Sequence, residues 1–326
     1  MKNKEDILWK NTAVVCISAM LCCFLWGSAF PGIKVGYNLF DIPSDNTGLQ
    51  IMFAGIRFFL AGVLVIIIGS FIYKKPLVLK KESVKAVLHL SLLQTTGQYF
   101  FFYVGLAKTT GVKSSIIQAL NVFIALFVAI VIYKQEKISR NKILGAVIGF
   151  IGVLVVELLG GSAVNDNGNI IGVGEICILM STVAYAFSSV YMKRYSKNEL
   201  PMILSGYQFA IGGLSLFVLG LIFSSQKSNV SSDLSLLLDG ISEGKGIVIV
   251  IYLDCVSAIA YTLWGILLKY NPVSRISVFG FLTPIFGVLL SAIFLRESRT
   301  MNIPATVVAV VLVSIGTLLA QSKDRP

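Results

Sequence analysis

Polar and aromatic side chains recur inside long apolar stretches at spacings that gather them on single helical faces. Asp254, Ser257, Tyr261 and Trp264 fall at i, i+3, i+7 and i+10, and Ser114, Gln118 and Asn121 at i, i+4 and i+7. Gln94 and Gln98 stand four apart, with Tyr99 and Tyr103 on an adjoining stripe, and Ser181, Tyr185 and Ser188 form another. Amides, hydroxyls and indole N–H groups recognise by hydrogen bonding. In a lipid-facing helix each must find a partner or water, or it opposes insertion. One role is to join helices, at under ~2 kcal/mol for each bond. The other is to line a wet cavity, and four separate stripes exceed what packing alone requires. Trp26, Tyr261 and Trp264 suit stacking against a solute or gating, with packing or interfacial anchoring as the alternative.

The ionisable residues narrow the chemistry. Asp254 sits about seven residues into its apolar segment, roughly 10 Å below the boundary. A carboxylate at that depth costs several kcal/mol unless paired or wetted. Three roles stay open for it: an ion pair with Arg57 or Lys34, a proton-coupling group, or a binder of a substrate ammonium. Pro284 is expected to kink its helix and serve as a hinge. Glu136 and Glu297 close two apolar segments and are expected to pair with Lys137 or Arg140 and with Arg296 or Arg299. His89 is the only histidine, expected to be solvated or interfacial. With no HExxH, no carboxylate cluster and no phosphate-cradling Gly-Lys-Ser/Thr run, no metal, cofactor or catalytic residue is expected. Cys16, Cys22, Cys23, Cys177 and Cys255 all lie in apolar segments and read as small buried hydrophobes.

Those residues are held by helices that cross a bilayer. Hydrophobic residues make up 56% of the chain, charged residues 13%, and the mean hydropathy is +0.84. A soluble domain carries about 25% charged residues, so lipid must solvate much of this surface. The net charge of +11 is spread in short runs between apolar stretches rather than on one face. Anionic headgroups, not nucleic acid, are therefore the expected partner. A span needs about 20 apolar residues. Ten segments qualify: Ala13–Ile33, Leu49–Tyr73, Val84–Ala107, Val112–Tyr133, Ile143–Leu159, Gly172–Met192, Met202–Phe223, Ile247–Leu268, Ile276–Leu295 and Met301–Ala320. The expected fold is an all-α integral membrane protein of ten transmembrane helices. Lys2, Lys4 and Lys10 precede the first run as in a signal peptide, but its length and Trp26 favour a retained helix. Of the 27 Lys and Arg, nineteen fall on one set of alternate loops and seven on the other, which puts both termini in the cytoplasm. Ser224–Gly246 reads as a flexible connection, or as a short interfacial helix through its leucines.

The two halves resemble each other. Gly55-Ile56-Arg57-Phe58 with Gly62 returns as Gly206-Tyr207-Gln208-Phe209 with Gly213, and the segment from Gly111 to Glu136 returns from Pro272 to Glu297. Five helices per half is an odd number, so the halves enter the membrane from opposite sides as inverted repeats. Gly145, Gly149 and Gly152 permit close helix approach, either within this chain or to a second copy, and the oligomeric state stays open.

Leu25-Trp26-Gly27-Ser28-Ala29-Phe30, Arg57-Phe58, Glu136, the Gly145/Gly149/Gly152 face, Tyr261 with Trp264, Thr283-Pro284 and Glu297 together resemble the EamA-type family of the drug/metabolite transporter superfamily. The resemblance covers residues 13–321 and implies repeats at 13–159 and 172–321. It further implies a carrier for small metabolites, amino acids or related compounds among them, with a cavity between helices 1, 3, 4, 6, 8 and 9. The chain departs from the pattern at Asp254, where a small residue is usual, and at Asn121-Val122-Phe123 opposite Thr283-Pro284, so the fourth and ninth helices are not expected to bend alike. The resulting expectation is a multi-pass secondary transporter of the cell membrane, exporting by alternating access. Its cavity residues are Trp26, Gln94, Gln98, Tyr99, Gln118, Asn121, Tyr185, Asp254, Tyr261 and Trp264, with small molecules and membrane lipids as partners. A channel or a non-transporting scaffold is the first alternative, and a lipid-modifying membrane enzyme the second.

Overall fold

The computed structural model describes residues 2–118, 120–134, 139–159, 172–227, 229–242, 244–294 and 303–321. All regular structure among them is helical, as a backbone solvated by lipid requires. A polar helix, α1 (Lys2–Lys10), leads to α2 (Thr12–Leu39), whose first turn is capped by Asn11 Oδ1 accepting from the Ala13 and Val14 amides. After α3 (Thr47–Ile72), α4 (Val84–Leu90) widens into a π turn at Ser91–Gly97 and continues as α5 (Gln98–Lys108). α6 (Gly111–Gln118) and α7 (Asn121–Phe127) follow, and α8 (Arg140–Leu159) ends the first half. The second half holds α9 (Val173–Tyr195), α10 (Pro201–Lys227), α11 (Val230–Ser242) and α12 (Lys245–Tyr270). It closes with α13 (Val273–Ser277), a 3-10 turn at Val278–Phe281, α14 (Leu282–Phe294) and α15 (Ile303–Gln321).

Six of these stretches are long and apolar enough to cross a membrane: Thr12–Leu39, Thr47–Ile72, Val173–Tyr195, Pro201–Gln226, Gly246–Tyr270 and Val273–Ser291. Asn121–Ile132 and Val307–Gly316 are shorter apolar helices. The chain is a multi-pass membrane protein.

Repeat-related helices pack on each other. α3 and α10 carry glycines at seven-residue intervals, Gly48, Gly55 and Gly62 facing Gly220, Gly213 and Gly206 in antiparallel register. A Cβ on Gly55 would stand 2.4 Å from the Phe217 amide nitrogen, and one on Gly213 2.3 Å from that of Phe59. Only hydrogen fits, and the two backbones touch. Such contact maximises dispersion where lipid removes the hydrophobic drive. α8 and α15 repeat the arrangement: a Cβ on Gly316 would lie 2.4 Å from the Gly145 carbonyl oxygen. At Gly145, therefore, the small-residue face meets the last helix of the same chain.

The fourth and ninth segments, expected to bend differently, each carry an irregular turn. Leu120 is a turn before α7 starts at Asn121, and the 3-10 turn Val278–Phe281 precedes α14. The offset that aligns Gly111 with Pro272 aligns these interruptions too, and they meet: a Cβ on Gly280 would touch the Val122 side chain at 3.4 Å. Neither proline nor glycine marks the first break. Of the two readings of Ser224–Gly246, a flexible connection or a short helix, the helix is the one found, as α11. Buried Asp233 explains it, accepting from Asn46 Nδ2 at 2.8 Å and from the Ser224 hydroxyl. Glu136, Lys137, Arg296, Glu297 and Arg299 lie outside the described residues.

Candidate functional site

Seven helical stretches converge on one cavity. Its wall takes Trp26 and Phe30 from α2, Arg57 from α3, and Gln98, Tyr99 and Phe102 from α5. Gln118 and Asn121 enter from the two sides of the α6–α7 break, and Tyr185 from α9. Ser257, Tyr261 and Trp264 come from α12, and Gly280 and Thr283 from the interruption before and within α14. The cavity is partly open to its surroundings and offers about 70 Å³ to the centres of water-sized molecules, space for a few waters.

Aromatic rings form the centre. Trp26 meets Tyr185, Tyr261 and Trp264 edge-on at centroid distances of 5.8, 5.1 and 4.9 Å, the favoured geometry for opposed quadrupoles. The Tyr99 and Tyr261 hydroxyls hydrogen-bond each other, and Gln98 Nε2 donates to Tyr261 at 3.2 Å. Several buried polar atoms of the lining residues have no hydrogen-bond partner among the described residues: Trp26 Nε1, Trp264 Nε1, the Tyr185 hydroxyl, Gln98 Oε1 and Asn121 Oδ1. Leaving a buried polar group unpaired costs about 1–3 kcal/mol. The residues line the cavity while these atoms are closed off from solvent, so a rearrangement of the wall around a guest could satisfy them.

Arg57 is held tightly. Its Nε donates to the Tyr103 hydroxyl at 2.6 Å, and Nη1 to the Leu253 carbonyl at 2.7 Å and to Ser257 Oγ at 2.9 Å. Of the roles open to Asp254, a direct salt bridge with Arg57 is not seen among the described residues, although the two charges lie near enough to attract each other. Asp254 is buried one turn before Ser257 but lies off the cavity wall, and its Oδ1 has no partner. Lys34 Nζ donates to the Thr109 carbonyl at 3.0 Å.

Eight of the expected cavity residues therefore share this wall: Trp26, Gln98, Tyr99, Gln118, Asn121, Tyr185, Tyr261 and Trp264. Gln94 does not, because its Oε1 accepts from Gln208 Nε2 of α10 at 2.8 Å. The π turn between Gln94 and Gln98 changes the angular register that an unbroken α-helix would give them. Pro284 is buried beside Thr283. His89 is half-buried, its Nδ1 2.8 Å from the Tyr195 hydroxyl. The five cysteines are free, Cys22 and Cys23 donating to the Ala260 and Phe279 carbonyls.

Sequence reasoning passed over Phe30, Phe102 and Gly280, and it gave Arg57 to an ion pair rather than to the wall. Gly280 carried a signal, a small residue opposite an amide where two interrupted helices cross.

Multi-pass helices enclosing a polar cavity between repeat-related elements define the class of membrane transporters. The sequence matches the EamA-like transporter family over residues 13–158 and again over 172–321, and the chain belongs to that family. It is 28% identical over 270 residues to an uncharacterized transporter, YyaM, of Bacillus subtilis, covering 82% of this chain and 83% of that one. A probable amino-acid metabolite efflux pump of Salmonella typhimurium is 26% identical over 293 residues, 86% of this chain and 87% of its own. A solved crystal structure superposes with a TM-score of 0.65 over 95% of this chain and 97% of that one, at 16% identity, a likeness of fold alone.

Proposed function

We propose that this transporter is a secondary carrier that exports small metabolites, amino acids or related compounds, by alternating access. It crosses the cell membrane ten times with both termini in the cytoplasm, and the cavity around Trp26, Tyr185 and Trp264 is its substrate site. The observation that carries this reading is the convergence of unpaired buried polar atoms from α2, α5, α7, α9 and α12 on one small space. A scaffold gains nothing from such a wall, since each orphan lowers its stability. Helices interrupted at equivalent places in both repeats supply the second support. Irregular backbone within a membrane is tolerated where it lines a cavity, and rocking of inverted repeats about such a site is how many secondary carriers alternate. Asp254 and Pro284 belong to this reading as a candidate coupling group and a candidate hinge.

The test is flux of a panel of labelled metabolites in proteoliposomes, with and without a pH gradient. Saturation and counterflow are expected of a carrier. Non-saturating flux means a channel, and no flux of any solute ends the transport reading.

A further inference from the structure

The cavity wall is one-sided in charge. Among the described residues Arg57 is the only side chain of formal charge on it, and no described Asp or Glu lines it. Tyr103, Leu253 and Ser257 occupy Nε and Nη1 of the guanidinium, and no described residue takes the protons of Nη2. The group is fixed by those three bonds and only 3% exposed, so its orientation is set before anything binds. Among the described residues the indole donors Trp26 Nε1 and Trp264 Nε1 are unpaired, as are the Tyr185 hydroxyl, which can donate or accept, and the amide oxygens of Gln98 and Asn121. A wall with a fixed cation and indole donors, completed by apolar faces of Phe30 and Phe102, complements a ligand with an anionic, acceptor-bearing end and an apolar body.

We propose that the cargo recognised here is a small organic carboxylate, held through its oxygens by Arg57 Nη2, and that an amino group on the cargo is not required. This deepens the carrier reading and rests on it. Guanidinium–carboxylate bonds are charge-assisted and roughly twice as strong as neutral ones. Lysine, a flexible point charge, does not reproduce them. A cationic cargo is disfavoured twice, by repulsion from Arg57 and by the absence of a wall carboxylate. Asp254, though buried nearby on α12, does not reach the cavity.

The decisive experiment compares matched solutes: propionate, alanine and ethylamine, and the same three carrying a phenyl ring, namely 3-phenylpropionate, phenylalanine and phenethylamine. Counterflow in proteoliposomes is expected for the acids and the amino acids, with the amines at least about tenfold weaker in kcat/KM. Arg57→Gln is expected to raise KM for the acids roughly tenfold or more, and Arg57→Lys to recover only part of it. Because either variant is open to misfolding, quenching of the Trp26 and Trp264 fluorescence is titrated in the wild-type chain carrying Trp9→Phe. Quenching by the acids and not by the amines supports the proposal. Amines that match the acids in flux or quenching overturn it. So does an Arg57→Gln variant that folds and keeps the acid KM. If neutral or cationic solutes show saturable counterflow while all acids fail, the carboxylate assignment falls and the carrier reading stands. If no solute of any charge shows counterflow or quenching, both fall.

Discussion

The α3–α10 seam and the cavity wall are built on opposite principles within one membrane-embedded chain. Along the seam two unbroken helices meet backbone to backbone through glycines. At the cavity the helices are interrupted, at Gln118–Asn121 and at Val278–Phe281, and polar atoms stay unpaired. Both places sit where the two repeats touch. The seam commits its packing surface to a single arrangement. The wall leaves local energy unspent, so that a solute or a second arrangement of the helices can use it. Interfaces of the first kind suit a pivot, and those of the second a moving part.

The sharpest way to break this contrast is to add carbon on each side of it. Gly55→Val is expected to abolish the folded protein, because its Cβ meets backbone at 2.4 Å and backbone cannot rotate aside. The cost should exceed the ~1–3 kcal/mol of ordinary overpacking. Gly280→Ala meets the Val122 side chain at 3.4 Å and Asn121 Nδ2 at 4.0 Å, both ordinary contacts with side chains. It is expected to leave stability within about 0.5 kcal/mol, with any change confined to flux. Thermal unfolding and size-exclusion profiles in detergent read the first quantity, counterflow the second. A Gly55→Val protein with wild-type melting would dissolve the distinction.

The same contrast sharpens at a single hydroxyl. Tyr185→Phe removes an oxygen that has no protein partner and leaves the ring against Trp26 and Tyr261. Melting is expected to stay level or rise, by up to about 1 kcal/mol, since an unpaired buried group is relieved. Flux of the cargo is expected to fall severalfold. This trade of stability for activity is the mark of a binding group. A purely structural tyrosine would show the reverse, lower stability with unchanged flux.

Sequence and structure agree most where a pattern depends on helical period alone. The seven-residue glycine spacing on α3 and α10 is visible in the chain, and so is the face shared by Ser257, Tyr261 and Trp264. Legibility fails where irregular backbone intervenes. Gln94 and Gln98 stand four apart in sequence, but a π turn lies between them, and Gln94 finds Gln208 instead. It fails again where a partner is a main-chain atom. The Leu253 carbonyl that holds Arg57 has no signature in residue identity, so the letters suggest a carboxylate partner such as Asp254 for the guanidinium and not this bond. The break at Leu120 is silent for a related reason. Leucine favours helix, so the turn at Leu120 must come from tertiary context, where α7 meets Gly280.

That last point sets the smallest expected effect. Proline interrupts helices by removing an amide donor and crowding the preceding turn, which makes Pro284 the natural cause of the irregular backbone before α14. Yet α6 and α7 are interrupted at the equivalent position without any proline, and the 3-10 turn ends at Phe281, three residues before Pro284. If crossing geometry sets both breaks, Pro284→Ala should restore at most one hydrogen bond, shift stability by under about 1 kcal/mol, and leave flux within twofold. If the proline alone holds the turn open, the substitution straightens α13 and α14 into one helix, displaces Gly280 and Thr283 from the wall, and stops transport. Counterflow by Pro284→Ala in proteoliposomes, beside its thermal unfolding, decides between a hinge made by one residue and one made by two repeats meeting.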